Sequence, residues 1–417
     1  MPPSEPLLIG SSAAPSRSAR PGRFWYDRTA EEVRMPEHRA HPDVVVVGGG
    51  VIGLSIAYQL AREGSRVSVL DRRELGREAS WAGAGIIAPG SEIPQALPMA
   101  RLRTRSAQLY PVWSEQLREE TGIDNGYRRC GSVDVAFDAK EDHDLRANAG
   151  RWRAEGIAFE RLEPGDFSRV EPALNPELRA AYFVPDRAQV RNPRHLKALA
   201  VACDRRGVRL RPGVPCLGFE VSGGRVLAVR TPEGPIPCGA AVVSAGPWTE
   251  TLLGPIGVRV PTPPVKGQIV LLRSDRPALR RIVEWGHHYL VPRDDGRVLV
   301  GATEEDAGFD TRPTASGARD LLDLALRLCP VLAEAALEAS WAGLRPGSVD
   351  SRPVIGPAPG IENLLIATGH RRSGLQLSPA TAEVIADLLL DRRPAVDLAD
   401  FRPDRPSSPT EEETFRS

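Results

Sequence analysis

The chain has 417 residues, and 54 Lys+Arg against 54 Asp+Glu leave a formal net charge of zero. That balance gives no electrostatic case for nucleic acid or an anionic membrane surface, and no apolar run is long enough to span a bilayer, so a soluble, cytoplasmic protein is expected. Five cysteines (130, 203, 216, 238 and 329) carry no C-x-x-C pair and read as reduced, mostly buried thiols, not as a disulfide framework or a zinc or other metal site.

Residues 1–40 are rich in Ser, Ala, Pro and Arg and lack the apolar core of a secretion signal, so they read as a disordered N-terminal extension. An Arg/Ser-rich organelle address is the weaker reading, because Glu31, Glu32 and Glu37 dilute it. The organising stretch follows. Asp43 leads into four consecutive valines, the pattern of a strand buried on both faces of a parallel sheet. Gly48, Gly50 and Gly53 come next, spaced as G-x-G-x-x-G, and Leu54, Ala57, Tyr58, Leu60 and Ala61 then repeat at helical spacing. Arg66–Leu70 reads as a second parallel strand with Asp71 at its tip. In such a unit Gly48 permits the turn, Gly50 lets backbone approach a pyrophosphate, and Gly53 lets helix and strand pack. The helix N-terminus offers free N–H groups to phosphate, and an acid roughly 20 residues on binds ribose. An adenine dinucleotide is therefore expected, with NAD and FAD both open at this point.

The segment from Gly76 to Gly90 is long and made of small residues, which allow backbone to approach something large and flat. Trp81, Ile86 and Ile87 are too apolar for a plain linker, so it reads as lining a cofactor. Helices are predicted over 101–122, 141–154 and 193–206. Residues 132–137 alternate like a half-buried strand. Strands at 208–211 and 214–221 lead through Gly223-Gly224 into a hairpin strand at 225–230. Residues 240–246 read as a later strand of the first sheet, making that domain discontinuous. Strands at 265–273, 282–292 and 297–303 suit a mostly antiparallel sheet, the last two joined by Asp294-Asp295-Gly296. A helix at 315–329 follows, then returns to the dinucleotide domain at 341–347 and 364–369, and a last helix at 379–390.

The fold class is thus α/β, a Rossmann-like dinucleotide domain plus a mostly antiparallel α+β substrate domain. The expected division assigns 41–100, 187–255 and 341–400 to the first, and 101–186 and 256–340 to the second. Residues 401–417 are expected to form a flexible tail.

The ordered set G-x-G-x-x-G, Gly-Arg-Glu-Ala-Ser-x-Ala-Gly-Ala-Gly from Gly76, Pro264-Val-Lys-Gly-Gln268, Tyr289-Leu-Val-Pro-Arg293, Trp341–Gly347 and Gly369-His-x-Arg-x-Gly374 resembles the D-amino-acid oxidase family of flavoproteins. Within it the pattern is similar to the glycine oxidases of thiamine biosynthesis. The resemblance implies FAD, held non-covalently. It places cofactor contacts at Gly48, Gly50, Val51, Ile52 and Gly53, at Asp71 and Arg72, at Glu78 and Ala79, and at Ala84, Gly85 and Ile86. Cys216 is expected on the adenine side, and the run His370, Arg371, Arg372, Ser373, Gly374, Leu375 and Gln376 past the flavin ring.

Oxidation of an α-amino acid requires a carboxylate anchor and a Cα–H aimed at the flavin. The resemblance points to Arg345, whose planar fork grips a carboxylate, with Tyr289 as a second donor and Arg372 as a further substrate-side arginine. His287, Ile86 and Glu304 are expected at the pocket, Glu304 facing a substrate ammonium if it points inward. Lys266 reads either as an oxygen-activating base or as the partner of an acid. The implied reaction takes a small amino acid or amine (glycine, sarcosine or D-alanine) and O2, releases hydrogen peroxide, and uses no dedicated acid–base residue. A dehydrogenase passing electrons to a quinone, or a non-catalytic flavin-binding protein, are the alternatives. A homo-oligomer is expected.

Overall fold

The computed structural model describes residues 42–91, 93 and 97–406. The extension at 1–40 and the end of the tail fall outside the described residues. Val44–Val47 is a strand with all four residues buried, and the two faces are covered differently. Val44 and Val46 pack with Leu54 and Tyr58 of the helix Val51–Arg62 and with Ile385 of the helix Gly374–Leu389. Val45 and Val47 pack with Phe219, Val226 and Val229 of a small antiparallel sheet built from Gly218–Ser222, Arg225–Thr231 and Gly234–Pro237. Burial on both sides is why the strand tolerates no polar residue.

Six strands form the first sheet, in the order Val354–Pro357, Leu364–Thr368, Ala240–Val243, Val44–Val47, Val67–Asp71 and Arg209–Pro212. All neighbours are parallel except the first pair. Chain segments from both ends and the middle thus build one sheet, as expected for a discontinuous dinucleotide fold.

The second sheet has eight strands, in the order Ala336–Pro346, Pro264–Arg273, Arg297–Gly301, His288–Pro292, Ile282–Trp285, Ser132–Ala136, Ala180–Val184 and Glu160–Leu162. Only Ile282–Trp285 and Ser132–Ala136 run parallel. The helix Ala315–Leu328 closes one face through Leu321, Leu324 and Leu328, which join Val270, Leu290 and Val300 in a core.

Several expectations are corrected here. The 341–347 segment pairs along Pro264–Arg273 in the eight-stranded sheet, not with the dinucleotide sheet. Residues 282–292 are two strands, because Gly286 takes a left-handed conformation (φ +59°) and turns the chain between Trp285 and His288. Residues 132–136 are buried on both faces, not half-buried. The strand expected from Val214 begins only at Gly218. The last helix starts at Gly374 and carries Pro379 inside it. Pro379 has no N–H for the carbonyl of Leu375, and that oxygen accepts from the Tyr110 and Ser378 hydroxyls instead. The tail is also anchored further than expected: Phe401 is fully buried and Arg405 forms a buried ion pair with Asp350 at 2.7 Å.

Candidate active site

A cavity of about 410 Å³ runs from the glycine turn to one face of the large sheet, where it meets the edge strand Ala336–Pro346 and interior strands beside it. Its near end is made by the first βαβ unit. Gly48 takes φ +106°, and a Cβ there would lie 2.7 Å from the carbonyl carbon of Ser244, so only glycine fits the turn. The Asp71 carboxylate accepts from the Gly49 N–H at 2.8 Å and the Arg73 N–H at 2.9 Å. Burial pushes Asp71 upward, and those two N–H groups oppose the shift. The Ser80 hydroxyl accepts from the Val51 N–H at 2.9 Å, tying the small-residue segment to the helix start. The Arg72 guanidinium lies 3.6 Å from the centre of the Trp248 ring, and Trp248 stacks on Phe309 at 5.4 Å.

The far end rests on cross-strand pairs. Val265 faces Arg345 and Gly267 faces Gly343 across the edge pair, while Tyr289 faces Gly301. The glycines make room. A Cβ at Gly267 would lie 2.5 Å from Cζ of Arg345, and one at Gly301 would lie 2.6 Å from the Tyr289 oxygen. Arg345 donates to the Thr303 carbonyl at 3.1 Å. Enclosure lowers the Arg345 pKa. Burial raises that of Tyr289, against the pull of the Arg345 charge beside it.

Most sequence-predicted residues line this cavity: Gly48, Gly50, Val51, Ile52, Asp71, Arg72, Glu78, Ala79, Ala84, Gly85, Ile86, Cys216, His287, Tyr289, Arg345, His370, Arg371, Arg372, Gly374 and Leu375. Three of the expected cofactor residues do not. Gly53 packs against the Gly48 carbonyl, where a Cβ would overlap it. Ser373 precedes the last helix at its N-terminus, and Gln376 is buried, its amide reaching the Ala88 carbonyl at 3.4 Å.

Glu304 differs most from expectation. Instead of facing an ammonium it sits between Arg371 and Arg372, paired with both. Burial works against its charge, yet the two arginines hold its carboxyl down at about 2. Arg372 also donates to Nδ1 of His287 at 3.0 Å, and Arg371 to the Ser351 hydroxyl at 2.9 Å. Lys266 is buried, with its ammonium 3.4 Å from Glu305, which favours the reading as an acid's partner.

Cavity residues not anticipated from sequence include Asn192, Trp248, Gly267, Glu284 and His288. Gly267 lay inside a quoted motif, and Trp248 follows the Ala240–Val243 strand in an Ala-Gly-Pro-Trp run that could have flagged it. Glu284 and Asn192 carry no local signal.

A long cavity with a glycine turn and helix N-terminus at one end and an arginine–tyrosine pair at the other is the arrangement of a dinucleotide-binding protein. The chain belongs to the FAD dependent oxidoreductase (DAO) family, which matches residues 43–388. It is 38% identical to the glycine oxidase of Pseudomonas putida over 87% of this chain and 98% of that one. It is 35% identical to the bifunctional protein ThiO/ThiG of Synechocystis, over 87% of this chain and 54% of that longer one. Among solved structures, glycine oxidase from Geobacillus kaustophilus superimposes with a TM-score of 0.85 at 34% identity, covering 88% of this chain and 100% of that one. Iminodiacetate oxidase from Chelativorans does so with 0.79 at 30% identity, with the same coverages.

FAD is therefore the cofactor, and the residues present fit it. The bare backbone at Gly48, Gly50, Gly83 and Gly85 lines the cavity, with no side chain to keep a large, flat cofactor at a distance. Burial pushes His370 down to about 3, so the ring is neutral at physiological pH. Gly48–Ile52 would hold the phosphates, Asp71 the ribose, and Gly374 and Leu375 would border the ring.

Proposed function

We propose that this protein oxidises a small α-amino acid or amine (glycine, sarcosine or D-alanine), with O2 as acceptor and hydrogen peroxide as product, and that it serves thiazole formation in thiamine biosynthesis. The observation that carries this reading is the meeting of Arg345 and Tyr289 at the ring end of the cavity, over Gly267 and Gly301. The names of the relatives support it independently.

Arg345 binds the substrate carboxylate through its planar fork, and the Tyr289 hydroxyl donates to the same group. Low exposure strengthens both interactions, since little water competes for the anion. Held at that end, the substrate presents its Cα–H to the ring. Bound FAD supplies the hydride-accepting chemistry; the protein supplies orientation. Arg371 and Arg372 keep positive charge at the mouth, moderated by Glu304.

The test is an anaerobic flavin-reduction screen over small amino acids and N-methyl amines. Bleaching of the yellow form by glycine, sarcosine or D-alanine, with oxygen uptake and peroxide release on re-aeration, is the expected result. Bleaching without oxygen uptake would replace the oxidase by a dehydrogenase. No bleaching by any of them would sink the reading.

A further inference from the structure

We propose, resting on the reading above, that Glu284 is the residue that recognises the substrate's amine, its carboxylate accepting hydrogen bonds from the ammonium group while Arg345 and Tyr289 hold the carboxylate end.

The placement comes from strand register. Glu284 lies directly opposite Tyr289 in the Ile282–Trp285 and His288–Pro292 hairpin, and directly opposed residues send their side chains to the same face. Both line the cavity. On the other side Tyr289 leans over Gly301 toward Arg345. Across this face the order is an acid, a phenol, then a guanidinium, an arrangement complementary to a zwitterion.

The charge balance behind Glu284 argues for a cationic ligand. Glu284 is 8% exposed, is paired with the buried Arg187, and faces Asp134 in register on the neighbouring strand. Both carboxyls lie within electrostatic reach of the Arg187 guanidinium. Burial, and then the proximity of Asp134, push the Glu284 carboxyl up against the pull of Arg187. Arg103, within electrostatic reach of Arg187, is paired with Glu155. An ammonium arriving from the cavity adds positive charge on the side of Glu284 that faces away from Arg187. A glutamate serving only as the counter-ion of Arg187 would need no face on the cavity.

The test compares ligands with and without an amine on the flavin-loaded enzyme. Glycine affinity is read from anaerobic flavin reduction, and acetate affinity from the flavin absorbance shift. Glu284→Gln keeps the shape and removes the charge. It should weaken glycine roughly tenfold or more, as expected for loss of a hydrogen bond to a charged group, and leave acetate nearly unchanged. Glu284→Asp should recover part of the glycine affinity, and it stands in if the glutamine variant does not retain flavin. Equal weakening of both ligands, or no change in either, would overturn the role of Glu284 while leaving the functional reading intact. Wild-type flavin that no small amino acid reduces would overturn both.

Discussion

The guanidinium of Arg345 lies against the α-carbon of Gly267 on the neighbouring strand, so closely that a Cβ there would sit 2.5 Å from Cζ. A methyl group at Gly267 must therefore push the anchor aside. Gly267→Ala is expected to raise KM for the amino acid by roughly an order of magnitude with flavin content unchanged, because misplacement alone degrades orientation. Steady-state kinetics beside the flavin absorbance ratio checks this. Arg345→Ala should go further, with kcat/KM down by about 100-fold or more, as for truncation of a buried charge partner.

Tyr289 is asked for one hydrogen bond. Tyr289→Phe should raise the apparent substrate dissociation constant roughly five- to tenfold, the size of a single hydrogen bond to a charged group. Flavin binding should not change. Rapid-reaction flavin reduction over a range of substrate concentrations separates binding from the chemical step, and a large loss in the limiting rate alone would contradict the assignment.

Gly53→Ala tests the helix–strand contact and not the chemistry. The new Cβ would overlap the Gly48 carbonyl and lie 2.7 Å from the Ser244 hydroxyl. Destabilisation of about 1–3 kcal/mol is expected for such overpacking, together with loss of flavin, since Gly48 shapes the cavity. A thermal melt followed by flavin fluorescence reads both.

Glu304 gives a pH dependence. Its carboxyl has an ordinary value of 4.5 and is held at about 2 in the fold by Arg371 and Arg372. A depressed carboxyl adds stability above its unfolded pKa, and that stability fades as pH falls from about 4.5 toward about 2. Glu304 is exposed at its surface, so screening limits the effect to about 1 kcal/mol or less. Melting curves of wild type and Glu304→Gln should differ most at neutral pH and converge only as the pH falls to about 2. A constant offset across that range would assign the effect elsewhere.

Much of the dinucleotide end was legible because its signals are local. Val44–Val47, the three glycines and Asp71 lie within one βαβ unit, and each signals a backbone requirement that neighbours in sequence satisfy. Asp294-Asp295-Gly296 likewise makes the hairpin it encodes. The edge strand at 341–346 was legible as a motif but not as a member of the large sheet, since strand pattern carries no information about which partner it will find.

The substrate end depended on register. Gly267 meets Arg345 from 78 positions away, and Arg187 meets Glu284 across a separation of 97. Glu304 looked available for an ammonium until the chain folded Arg371 and Arg372 onto it. By itself the sequence determined that a dinucleotide binds and, through its motif order, pointed to the arginine and tyrosine that the structure brings together in the cavity. The tertiary structure alone decided which charges neutralise one another, because pairing between distant strands is set by packing of the whole sheet. That pairing encloses Arg345, engages Glu304, and turns Glu284 to the cavity.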